Sequence, residues 1–144
     1  MTELERQDVQ GILMSAYAHL PCAAYMLLRV SEPTAARRWL RTLAEQVTTG
    51  SGKEEQSSVN VALTFAGLQA LGLDARALGT FPLAFQEGMA SDKRSRVLGD
   101  TGDSAPAAWR WGNDGVPVHL LLMLFGLDET VLSTLIDRQR RGLV

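Results

Sequence analysis

The sequence predicts an α+β domain: one small sheet with helices packed on one of its faces. Three observations predict it. Two short segments are apolar on both alternating faces, a third alternates apolar and polar residues, and two amphipathic helical segments are interleaved with them. The chain has 144 residues with 14 Lys+Arg against 16 Asp+Glu, a formal charge of −2. That length suits one compact domain over residues 1–144, and that near-neutral charge gives no electrostatic reason for a nucleic-acid partner. The single cysteine, Cys22, cannot form an internal disulfide, which points to a reducing, cytoplasmic compartment. The opening residues carry acids before any apolar run, unlike a secretory leader, and the longest apolar run, Val116 to Leu127, is too short to span a bilayer.

The first element is the strand Ala23–Val30 (AAYMLLRV), apolar on both faces as a central strand requires. The helix Ser31–Val47 follows. Pro33 suits its first turn, and Ala36, Trp39, Leu40, Leu43 and Val47 fall on one face with Arg37, Arg38 and Arg41 on the flank opposite. Thr48–Ser57 is small and polar and reads as a surface loop. In the strand Ser58–Phe65, Val59, Val61, Leu63 and Phe65 point one way and Ser58, Asn60, Ala62 and Thr64 the other, the pattern of an edge or half-exposed strand. A short helix, Phe65–Leu71, stops at Gly72. Residues 74–115 read as an irregular excursion with a helical turn near Phe85–Met89. The strand Val118–Phe125 is again apolar on both faces, His119 apart, and central. The last helix starts at Asp128 as cap, carries Arg138, Arg140 and Arg141 at its negative end, and has Gly142 as its left-handed stop.

This order, β-α-β-β-α with the excursion between the second and third strands, is the ferredoxin-like βαββαβ unit with its last strand missing or supplied by another segment. With helices on one face, the other face still shows Tyr25, Leu27, Leu121, Met123 and Phe125, and an exposed apolar patch of that kind marks a partner interface. The outer edge of the first strand also lacks a neighbour, and Val9–Met14 is available to fill either gap.

Short patterns that suggest chemistry carry little. Gly50–Glu54 (GSGKE) evokes a phosphate loop, but Glu54 stands where Ser or Thr must meet magnesium. His19 and His119 lack a carboxylate or thiol at metal-ligand spacing, and His119 reads as a satisfied interior residue. Cys22 has only His19 nearby as a base. Asp100, Asp103 and Asp114 sit among glycines, as Asx-type turns do, and Trp109 and Trp111 around Arg110 read as loop anchors. No catalytic, cofactor-binding or metal-binding residue is assigned from these patterns.

Taken together, several stretches resemble the dye-decolourising (DyP-type) haem peroxidases. They are Asp8-Val9-Gln10-Gly11-Ile12-Leu13, Ala23–Val30, Ala36–Leu40, Asn60–Thr64 with Gly67–Leu73, Phe81-Pro82, Phe85 with Gly88-Met89, and Leu98–Gly102 leading to Pro106 and Trp109. The resemblance is to the N-terminal half of that family. It implies two ferredoxin-like halves with packed sheets, haem held mainly by the second, and haem-dependent oxidation by peroxide in complete members. The family's distal Gly-x-x-Asp-Gly motif is not matched, because Gly112-Asn113-Asp114-Gly115 is one residue short, and neither histidine matches the proximal ligand's context. The expectation is therefore a half-length, truncated peroxidase-like chain that binds no cofactor alone and is not catalytic alone. It acts as a structural partner for itself or for a separately encoded C-terminal half, with no membrane or nucleic-acid partner. The alternatives are a small-molecule module formed by a dimeric α+β barrel, or a fragment without function.

Overall fold

The computed structural model describes residues 5–51 and 56–143. Their elements are the strands β1 (Cys22–Leu28), β2 (Ser57–Leu63) and β3 (Leu120–Gly126) and the helices α1 (Pro33–Ala44), α2 (Phe65–Ala70), α3 (Ala75–Leu78), α4 (Leu83–Glu87), α5 (Asp92–Leu98) and α6 (Glu129–Gly142). The expected chain order is present. The three strands form one sheet in the order β1-β3-β2. It is antiparallel. The amide of His119, entering β3, donates to Leu28 at the end of β1, and that of Leu127, leaving β3, donates to Gln56 at the start of β2. Of the run Gly50–Glu54, residues 52–54 lie outside the described residues.

The contacts divide the chain into two compact units, one drawn from Met1–Met26, Thr34–Ala62 and Leu122–Val144, the other from Leu27–Pro33 and Leu63–Leu121. In the first, Leu122 and Leu124 of β3 are fully buried together with Leu43 of α1, and Val59 of β2 and Leu135 of α6 complete the core. α1 is amphipathic as its spacing requires, but it ends at Ala44 rather than reaching Val47. Asp128 caps α6 by accepting from the amide of Val131 at 2.8 Å. Gly142 does not stop that helix; it is its last helical residue. A Cβ there would come within 2.9 Å of the Trp39 ring of α1, so glycine serves close helix approach rather than a left-handed turn.

Two further expectations change. Only β3 is central. β1 is an edge strand among the described residues, and its apolar alternation reflects one half-buried and one exposed face, Ala23, Tyr25 and Leu27 being the exposed side. In β2, read as half-exposed, the small polar side is buried at Ser58 and Asn60 along with Val59 of the other. Val9–Met14 goes to the free edge of β2, not to β1. There Gln10 forms an antiparallel bridge with Thr49, and the amide of Gly11 donates to Thr48 at 2.8 Å.

In the second unit, Thr64 joins β2 to α2. Its hydroxyl accepts from the Gly67 amide at 3.0 Å as the N-cap and donates to the Val118 carbonyl at 2.8 Å. A Cβ on Gly67 would collide with the His119 carbonyl, so α2 reaches the start of β3 only because that position is glycine. Phe85 meets both Phe65 and Phe81, with ring centroids 6.1 and 5.1 Å apart, and this aromatic trio is the second unit's own apolar cluster. The excursion is more ordered than its sequence suggests. Asp74 caps α3 through two amides, and α5 ends in Gly99 at φ 80°, the left-handed region open to glycine.

Candidate functional site

Neither β1 nor β3 carries a charged residue. In the first unit, the face of the sheet turned from the buried leucines is built from Tyr25, Met123 and Phe125. Tyr25 is 60% exposed, a large ring mid-strand with little over it. Its ring meets Phe125 edge-on, centroids 6.2 Å apart at 82°. Met123 and Phe125 are half-buried. Leu27, in the second unit, is the next exposed position of β1, and Leu121 is the half-buried position of β3 two before Met123. All five residues named for a partner interface thus lie on strands at alternate positions, Tyr25 and Leu27 most open.

The β2 side of this face is different, and sequence reasoning missed it. Tyr17 packs on Phe125 with centroids 5.2 Å apart and is buried, although its φ of 48° is one that side chains other than glycine's seldom adopt. Its hydroxyl donates to Asn60 Oδ1 at 3.3 Å, and the same oxygen accepts from the Ile12 amide at 3.3 Å. Asn60 Nδ2 donates to Ser58 Oγ at 2.9 Å. The Asn60 side chain is fully buried, and this set of bonds is what permits a buried amide. A Cβ on Gly11 would strike the Tyr17 hydroxyl, so the Gln10-Gly11-Ile12 run fits the cluster sterically. The signal was available in the strict alternation of Ser58 and Asn60 with Val59 and Val61. It reads as exposure unless a polar strap is expected to cover it.

The second unit holds the remaining candidates. His119 is half-buried, and its Nδ1 accepts from the Val30 amide at 3.0 Å, which places the imidazole proton on Nε2. Burial, and secondarily the charge of Arg29, lower its pKa below the ordinary 6.5. An open cavity of about 690 Å³ is lined by Asp92, Ser95, Asp100, Thr101, Asn113 and Asp114 among others. The Asx-type turn in this region is made by Asn113, not by the aspartates. Its side chain accepts from Val116 and donates to Trp109, each at 2.8 Å, so Gly112–Gly115 is a turn. Trp109 anchors its loop by donating to the Ser104 carbonyl at 2.9 Å, while Trp111 is exposed. His19 is exposed, and Cys22 is half-buried at the start of β1 and in no disulfide.

Among the described residues no three His, Cys, Asp or Glu side chains cluster as metal ligands, and no helix is long and apolar enough to cross a membrane. Haem iron needs a nitrogen, sulfur or phenolate donor facing an apolar slot. The cavity is lined by Ala90, Ala105, Pro106 and Ala107 as well as by carboxylates, hydroxyls and an amide, and none of these is such a donor, so its residues do not fit the iron.

No family model and no curated protein matches the chain. Solved structures do match it. An ancestral D-type dye-decolorizing peroxidase superposes with a TM-score of 0.75 at 20% identity, over 98% of this chain and 31% of that one. A fungal DyP-type peroxidase from Auricularia auricula-judae gives 0.72 at 19%, over 99% and 31%. A DyP-type peroxidase from Anabaena sp. gives 0.69 at 15%, over 98% and 36%. The chain thus has the fold of part of a DyP-type peroxidase, and spans about a third of the length of these proteins.

Proposed function

We propose that the chain is a DyP-type sheet module whose role is assembly, with the uncovered face of β1 and β3 seated on a second copy of itself. One observation carries this reading: Tyr25, 60% exposed in the middle of an uncharged strand, beside the half-buried Met123 and Phe125. Leu27 and Leu121 extend the same alternate positions along their strands. Covering about five such side chains contributes on the order of 5–10 kcal/mol of apolar burial before the entropy of association is subtracted, sufficient for a dimer at about micromolar concentration. An isologous pairing suits the patch, because an apolar surface without charge is complementary to its own copy. Assembly is the favoured reading also because the cavity carries no donor suited to haem iron.

Light scattering on the parent and on Met123→Glu tests the proposal. The parent is expected at twice 15.7 kDa and the variant at 15.7 kDa, with unchanged circular dichroism. A parent that stays at 15.7 kDa at every concentration overturns the reading. So does a parent that dimerises only with a different peroxidase-like chain, which would make the face a docking surface for a separately encoded half.

A further inference from the structure

The outward edge of β2 is closed at its middle without a strand. A strand edge normally presents the N–H and C=O of alternate residues as a template for another chain. On β2 they include the central pair Val59 and Val61, and all four groups of these two are bonded. The Val59 carbonyl accepts from the Thr48 amide at 2.8 Å, and its N–H donates to Thr48 Oγ1 at 3.1 Å. The Val61 N–H donates to Gln10 Oε1 and its carbonyl accepts from Gln10 Nε2, both at 2.8 Å. A carboxamide carries one acceptor and one donor in a fixed plane, the same pair that a facing peptide would offer. Gln10 is held in position by its bridge to Thr49 and by the Gly11 amide on Thr48.

We infer that the Gln10 side chain, together with the hydroxyl and backbone amide of Thr48, seals the middle of β2 and keeps that edge from pairing with the β2 edge of a second copy of this chain. The second copy is the occupant the geometry favours. Across a two-fold axis at Asn60, Val59 of one copy faces Val61 of the other, and each exposed N–H finds an identical strand's C=O. The seal concerns an edge, and it stands whether or not the sheet face pairs.

Amide hydrogen exchange read residue by residue tests it. Gln10→Met keeps the length of the side chain and removes both bonds. Val61 is expected to exchange about tenfold faster relative to Val59, whose Thr48 partner remains. Gln10→Glu retains an acceptor for the Val61 N–H, and Val61 is expected to stay slow. In Gln10→Met with Thr48→Val, Val61 exchanges fast in dilute protein and regains protection, with a rise in mass, as concentration increases. Equal acceleration of Val59 and Val61 in Gln10→Met, or no acceleration, overturns the seal. Exchange that does not depend on concentration in the double variant overturns the identity of the occupant.

Discussion

His119 shows how one residue's environment becomes a property of the molecule. Its Nδ1 accepts a backbone hydrogen bond that the imidazolium cannot accept, and its pKa is lowered first by burial and then by Arg29. A lowered histidine pKa means that below about pH 6.5 the unfolded chain binds the proton more readily than the folded one. The contribution is therefore complete above that pH and is lost as pH falls toward and through the folded value. The melting temperature of the parent is expected to drop more between about pH 7 and about pH 5 than that of His119→Asn, which keeps an acceptor near the Nδ1 position and does not titrate. Parallel curves for the two proteins would show that the imidazole is not the source. The sequence reading had His119 as a satisfied interior residue, and its bond to Val30 agrees. It could not supply that partner, which lies 89 positions away.

Among elements, those with strong periodicity were legible and those without an apolar stripe were not. α1 follows from the spacing of Trp39, Leu40 and Leu43, and α6 from Asp128 onward. α5 was missed because DKRSRVL has no apolar stripe; Val97 and Leu98 stay exposed, and the helix is instead terminated by left-handed Gly99. The faces of β2 were misread for a related reason, since alternation tells which residues share a side but not what covers that side. Capping energetics make a direct test at α6. Asp128→Ala is expected to cost about 1 kcal/mol, a few degrees of melting temperature, and Asp128→Asn much less, because asparagine also accepts at an N-cap. An equal loss in both variants would assign the effect to the charge near the helix start rather than to the bond with Val131.

At the scale of the whole chain, the fold class was legible because order and pattern agreed, and resemblance and structural likeness point to the same peroxidase fold. The candidate surface was legible in part. Tyr25 and Leu27 are open as expected, whereas the Tyr17–Asn60–Ser58 cluster needs a strap that no local pattern announces. If the uncharged face of β1 and β3 carries assembly, the association should be indifferent to added salt or strengthened by it, since apolar burial is not screened. Light scattering at low and high ionic strength checks this, and dissociation on adding salt would mean that charged groups outside the two strands hold the copies together.

The position of Tyr17 has a counting consequence. By lying on Phe125 and Asn60, it fills the β2 side of the face and pushes the sticky area off centre, toward Tyr25. If that face pairs as proposed, an off-centre patch is used up by one neighbour related by a two-fold axis, with nothing left over to recruit a third. Such a stack would stop at a pair. A ring that looks like mere core filling would then also set the stoichiometry.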